Sequence, residues 1–353
     1  MSDRSNTVSV SGRRNHARIE AFDIAKLLAL ICIVVGHSSF AGVPSGIVDF
    51  FYSFDMPLFF VVSGYFFKDR DISRRMFEKN VRGLILPYVA TCALVVVAMM
   101  VRSALFGESV LRAGVVWLVA SLYGSGSVTP GMPEGIAAIG ALWFLLSLFW
   151  SRLLLASFWR AGFPGILSLL AFIVGVSTKD YIWLPFSVQP ALCGVLFMYV
   201  GQMARDKSIL GLGSSEEKKK LNCFLWFVML MTWLYCGLFF GKLYMVTNTY
   251  SHGAIDVIGG ICGAFCIIKV SDYASRRLPH LFHLLAKAGA CTLPLLCMHL
   301  FELNVIRWDL IVEMLKSAGL NPAFPVVISQ LAITALLALL LKMAPRKLSG
   351  IFY

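Results

Sequence analysis

Apolar residues run along this chain in blocks, each closed off by a short polar or basic connection. Crossing the hydrocarbon of a bilayer as an α-helix takes ~20 mostly apolar residues. Blocks of about that length occupy 22–41, 46–67, 84–106, 136–158, 163–177, 182–204, 221–241, 253–271, 284–304 and 324–343. The pattern predicts an all-α polytopic membrane protein with about ten transmembrane helices. A basic tail covers 1–21, one transmembrane domain covers 22–343 and a short tail covers 344–353. The connection over 107–135 stands apart. It holds the apolar run "AGVVWLVASLY" (113–123), too short to cross, and the Gly/Pro-rich stretch "GSGSVTPGMPEG". A re-entrant or interfacial helix fits it, either as a lid packed on the bundle or as a gate over an outer opening.

Composition strengthens this picture. Hydrophobic residues make up 58% of the 353 and charged residues only 14%, with mean hydropathy +0.78. That is too apolar for a soluble domain of this length. Basic residues collect on the cytoplasmic side of membrane proteins. With the N-terminus inside, the inner segments hold 20 Lys and Arg and the outer connections hold 5. The bias predicts cytoplasmic N- and C-termini in a bacterial-type inner (plasma) membrane. It also assigns the net charge of +12 to segments facing anionic headgroups of the lipid bilayer, without nucleic acid. The first apolar block is span-length and lacks a small-residue cleavage site, so it reads as an uncleaved helix. Nine cysteines are scattered singly. Cys262 and Cys266 share a helical face, but without partner histidines they read as packing and not as a metal site.

Chemistry enters with "KLLALICIVVGH", Lys26 to His37. Eleven positions at ~100° come to three turns plus ~20°, so both side chains lie on nearly one stripe, ~16 Å apart along the axis. Lys26 lies toward the cytoplasm and His37 toward the outer face. Singly, the lysine reads as a snorkelling residue and the histidine as a bond to a neighbouring helix. Together on one face they predict a polar path through the bundle. Asp55 is the ionisable residue in the middle of the following block. If that block folds back as a hairpin turning near residue 44, Asp55 arrives at the height of His37. It would then orient the imidazole as a general base, unless it bonds another helix.

These residues resemble the membrane-bound acyltransferase-3 family. "RIEAFDIAKLLALICIVVGH" is similar to its first span, with Arg18, Asp23, Lys26 and His37 in the pattern's places. "SFDMPLFFVVSGYFF" resembles the second span through Pro57, Phe59, Phe60, Ser63 and Gly64. "KNVRGLILPY" resembles the start of the third through Lys79, Arg82, Pro87 and Tyr88. "ALWFLLSLF" carries the Trp-Phe-Leu segment as Trp143, Phe144 and Leu145, and "LPLLCMHLF" places His299 as the family's late histidine. The matches fall in order over nearly the whole chain, and ten spans is the family's usual core. The sugar O-acetyltransferase-like subgroup is the most similar. Members often carry His where Asp55 stands, and no Glu follows the Trp143 segment as in another branch. No extracytoplasmic hydrolase-like domain is appended.

The resemblance implies transfer of an acyl group, usually acetyl, from cytoplasmic acyl-CoA to a hydroxyl of a glycan or lipid-linked sugar. Acyl-CoA (acetyl-CoA) is then a co-substrate, with no permanently bound cofactor. The donor's phosphates call for cations at the inner mouth. The loop "KDRDISRRMFEKNVRG" (68–83) offers Arg74, Arg75, Lys79 and Arg82 beside Lys26, although membrane orientation alone also favours such a loop. Ser63 and Trp143 are candidates for lining the donor's arm; helix approach and aromatic packing are their structural alternatives. His37 is the candidate base, or the carrier of the acyl group itself. His299 with Glu302 suits acceptor binding or an interfacial polar end. Asp256 reads as a solvated helix cap. A secondary transporter using the same charges as a translocation path is the rival class, but no paired broken spans in repeated halves are found.

Overall fold

A computed structural model describes residues 4–210, 219–241 and 243–353. It is helical almost throughout. Helix α1 (Arg4–His37) leads to α2 (Ser45–Tyr52) and α3 (Asp55–Phe66), which together make the second crossing, broken at Ser53–Phe54. Helix α4 (Arg74–Asn80) runs through a π-helical turn, Val81–Ile85, into α5 (Leu86–Leu105). The outer connection folds as α6 (Val110–Tyr123), followed by α7 (Trp143–Arg160), α8 (Pro164–Ser177) and α9 (Val188–Asp206). After α10 (Lys219–Tyr235), an outer hairpin pairs Leu243–Tyr244 with Thr249–Tyr250. Then come α11 (Ala254–Arg277), α12 (Pro279–Ala290), α13 (Thr292–Val305), α14 (Trp308–Ser317), α15 (Ala323–Met343) and α16 (Arg346–Phe352).

Each of the ten predicted blocks is helical, but they are not ten equivalent spans. Seven are long and apolar enough to cross a membrane, and α12 with α13 make an eighth that is bent by 64°. Helix α8 has 14 residues, ~21 Å of rise. Helix α9 carries Gln189, Gln202, Arg205 and Asp206 and is buried along more than half its length. Its polar groups are accommodated by protein contacts: Gln202 accepts from Trp159 at 2.6 Å, and Arg205 donates to the Phe67 carbonyl at 2.6 Å. In hydrocarbon every such group needs an internal partner.

Close backbone contact, not side-chain bulk, sets the core. Gly64 of α3 lies against the backbone of Met198, and Gly201 of α9 lies against the backbone of Val61 and Tyr65. A Cβ at either position would collide with a main chain that cannot swing aside. Helix packing through small residues is the usual solution where lipid supplies no hydrophobic drive between helices. Gly289 of α12 meets the backbone of Asp23 in the same way, which clamps the inner half of α1. Gly201→Val is expected to lower the thermal midpoint of the detergent-purified protein, by overpacking worth at least ~1–3 kcal/mol. Gly46→Ala, where nothing lies within 4 Å, is the control that should leave the midpoint in place.

Candidate active site

Helix α1 presents one stripe to the bundle interior: Lys26, Leu30, Ile33 and His37, spaced four, three and four residues apart. Lys26 is ion-paired to Asp23 at 2.8 Å and lines an inner cavity of about 310 Å³ with Ser63, Gly83 and Arg152. Ile33 and His37 line an outer cavity of about 300 Å³ with Tyr52, Asp55, Trp143 and Tyr244. The stripe thus borders two cavities, an inner one and an outer one. Phe59 and Phe144 line the inner one, with ring centroids 5.5 Å apart. Met56, three residues before Phe59, and Trp143, next to Phe144, line the outer one. The aromatic pair stands at the boundary.

His37 ends α1 and is held from the other end of the chain. Its Nδ1 lies 3.0 Å from Nε2 of His299, with the two rings nearly parallel at an interplanar angle of 8°. Nδ1 of His299 lies 2.9 Å from Oε1 of Glu302, and Trp308 Nε1 donates to Oε2 of the same carboxylate at 2.8 Å. His299, Glu302 and Trp308 are buried. Protons can be placed by satisfying the bonds. An ionised Glu302 accepts from Trp308 and from Nδ1–H of His299. Nε2 of His299 then accepts from Nδ1–H of His37. The remaining lone pair, on Nε2 of His37, belongs to the residue that lines the outer cavity. With Glu302 ionised, that nitrogen keeps its lone pair.

Asp55 is not the partner of His37, contrary to the sequence expectation. It lines the same cavity, but its Oδ1 accepts from the Met56 N–H at 2.5 Å, and its buried Oδ2 has no partner among the described residues. The hairpin height was read correctly, but the bond goes to a helix 262 residues away. His299 and Glu302, expected as acceptor ligands or an interfacial end, instead form the support behind His37. Ser63 accepts from Arg152 Nε and Nη2 at 3.1 and 3.0 Å, while Gly64 beside it makes the close helix contact. Trp143 is 3% exposed and walls the outer cavity. Arg75, Lys79 and Arg82 lie exposed on α4 and the π turn. Gly83 and Leu84, directly after Arg82, line the inner cavity. The side chain of Arg18 lies outside the described residues. Asp256 is buried, not solvated, and accepts from the His252 N–H at 2.8 Å.

Arg152 escaped the sequence reading. It sits in α7 between Ser63 and Asn80 Oδ1, the latter bond 2.9 Å long. Among the described residues no carboxylate lies within ion-pairing distance of it. An arginine in the middle of the apolar block 136–158 was the available signal. The outer connection, expected as a lid or a gate, supplies part of the outer cavity's wall through Gly126 and Ser127. Trp183 Nε1 pins it by donating to Ser125 at 2.9 Å. Tyr244, in the outer hairpin, donates to Asp49. Burial, together with that carboxylate, pushes its phenol up to about 12, so it stays neutral and protonated at physiological pH.

A protein-family description, "Acyltransferase domain", matches residues 19–343. The chain belongs to the acyltransferase-3 family. No curated protein and no solved structure matches it. Membership makes this an integral-membrane acyltransferase, with an acyl donor and an acceptor as its substrates. Glu302→Gln is expected to lower the acyltransferase's kcat by on the order of 10²-fold or more, since the amide no longer enforces the tautomer chain. The donor KM should stay near its original value. Steady-state kinetics on folded, size-exclusion-homogeneous protein would check it.

Proposed function

We propose that this acyltransferase moves an acyl group, most simply acetyl, from acyl-CoA on the cytoplasmic side to a hydroxyl of a glycan or lipid-linked sugar. The hydrogen-bonded array His37–His299–Glu302 at the wall of the outer chamber carries this reading. An inner chamber with two cations supports the donor's polarity. Arg binds phosphate oxygens as a planar fork and Lys binds them as a point charge. Arg152 and Lys26 would receive the inner end of the donor, with exposed Arg75, Lys79 and Arg82 gathering its phosphates at the mouth. Ser63 and Trp143 would flank the arm. The ~16 Å of rise from Lys26 to His37 suits a long, thin, mostly uncharged arm that delivers its thioester to the outer chamber.

His37 Nε2 takes the proton of the acceptor hydroxyl as its oxygen attacks the thioester carbonyl. A C–O bond forms and the C–S bond breaks. The proton on His37 then passes to the departing thiolate, which leaves as the free thiol. Neither oxidant nor metal is needed for balance. A positive charge develops on His37 during attack, and the relay to Glu302 stabilises it. Placement in a bacterial-type inner membrane follows from the basic-residue bias and belongs to this same reading.

The test is thiol release from acetyl-CoA by purified protein in lipid nanodiscs, with and without hydroxyl acceptors. His37→Ala should reduce acceptor-dependent release by ~10²–10⁴-fold, the usual worth of a positioned base. Arg152→Gln should raise the acetyl-CoA KM by about tenfold, the loss of one charge-assisted contact, with a smaller effect on kcat. Full activity in His37→Ala would remove the proposed chemistry.

A further inference from the structure

One buried group in the outer chamber is left unused by the fold and by the proposed chemistry. Asp55 is fully buried and begins α3. Its Oδ1 takes the adjacent Met56 N–H, and among the described residues its Oδ2 has no hydrogen-bond partner. His37 is oriented without it, through His299. No helix is tied to another through this carboxyl. Burying a polar oxygen without a partner is costly, and such groups call for an explanation in a bound molecule.

The chamber indicates which kind. Its lining includes two polar residues, His37 on α1 and Asp55 on α3; Oδ2 of Asp55 is unpartnered among the described residues, and the proton placement above leaves Nε2 of His37 its lone pair. Around them stand Tyr52, Tyr244 and Trp143. Tyr52 and Tyr244 meet edge to face, 5.5 Å between centroids. At about 300 Å³ the space is at the lower end of small-molecule sites. A lone hydroxyl would satisfy His37 and leave Asp55 orphaned. An acceptor with a second hydroxyl beside the reacting one satisfies both, while the aromatic rings cover the C–H faces of its skeleton.

Resting on the acyl-transfer reading above, we propose that Asp55 is an acceptor-positioning residue: its free carboxyl oxygen hydrogen-bonds the hydroxyl adjacent to the one acylated, which makes the acceptor a ring-borne vicinal diol. The group acts by fixing which hydroxyl meets Nε2 of His37, and it touches neither the thioester nor the proton in transit. Replacing it by an apolar residue of similar size removes the orphan, so Asp55→Leu should fold, with a thermal midpoint equal to or above that of the wild type.

The experiment compares methyl hexopyranosides with their single-deoxy derivatives as acceptors, with acetyl-CoA as donor and protein in nanodiscs. For wild type, removing the hydroxyl next to the acylated carbon should raise the acceptor KM about 10- to 100-fold. In Asp55→Leu the parent sugar should already show that weak KM, and the parent-to-deoxy ratio should fall to about one, the signature of a coupled pair. Asp55→Asn, which keeps an oxygen in place, should restore most of the discrimination. A variant that raises the acetyl-CoA KM while leaving the sugar ratio intact would assign Asp55 to the donor arm and overturn the proposal. Absence of thiol release by wild type would refute acyl transfer itself. Equilibrium binding of the same sugars would then decide the diol proposal: preference for the parent over the deoxy sugar, lost in Asp55→Leu, supports it, and equal affinities or no binding overturn it.

Discussion

An imidazole inside a lipid-embedded bundle must find its hydrogen-bond partners within the protein, and the bond from His37 to His299 is the one on which the arrangement of this molecule turns. It joins the first span to a helix near the other end of the chain. Helix α1 is thereby gripped twice by one bent pair. Its inner half meets α12 at the glycine contact of Gly289 with Asp23, and its outer end meets α13 at the imidazole pair. Across the 64° break between α12 and α13, one glycine and one histidine, ten positions apart in sequence, contact opposite halves of the same partner. Pro294, in the first turn of α13, sits where its missing N–H would have had no helical partner anyway.

Between those grips the interior divides by chemistry. Cations face the inner chamber and the basic imidazole faces the outer one, with Phe59 and Phe144 at their boundary. The two rings are contributed by α3 and α7, and α3 is itself located by the glycine contacts with α9. Arg152 ties the same helices together from the inner side, through Ser63 and Asn80. A rigid α3 thus positions Ser63 in one chamber and Asp55 in the other. Tyr52 at the end of α2 and Asp55 at the start of α3, three positions apart, both line the outer cavity. The aromatic pair lies where the linings of the two cavities come nearest in sequence, Met56 beside Phe59 and Trp143 beside Phe144.

How much of this was legible in the sequence depends on the range of the interactions. The stripe of Lys26 and His37 is local helical geometry, and it appears as expected, each residue facing a cavity. The blocks of apolar residues located the long apolar helices, because hydropathy reports burial in lipid directly, and passed over α4, α14 and α16, which are short or amphipathic. They did not distinguish a straight span from α2/α3 or from α12/α13, since breaks at Ser53–Phe54 and Cys291 leave hydropathy unchanged. The pairing of Asp55 with His37 failed for a different reason. Hairpin geometry supplies a height and not a direction, and a helix remote in sequence took the bond. The spacing of His299 and Glu302 was visible as neighbouring positions on a helix, yet nothing in periodicity could say that the pair supports His37. Arg152 was visible as a charge in an apolar block. Its meaning required Ser63 and Asn80, which come from two other helices.

The interposition of His299 has a consequence for the energetics of the proposed reaction. A carboxylate bonded directly to His37 would hold full negative charge at the wall of the chamber that receives the donor. Here the charge lies two hydrogen bonds back, with both oxygens of Glu302 engaged, by His299 and by Trp308. A buried carboxylate is tolerable when its acceptor sites are filled. As His37 gains a proton, the chain of donors can polarise toward Glu302, so the developing cation is balanced inside the protein rather than by water. In the proposed reaction the outer chamber would present a neutral imidazole beforehand and a compensated imidazolium during attack. The same chain requires both rings to keep one orientation, and their near-parallel arrangement is the geometry in which a single rotation of either ring would break it.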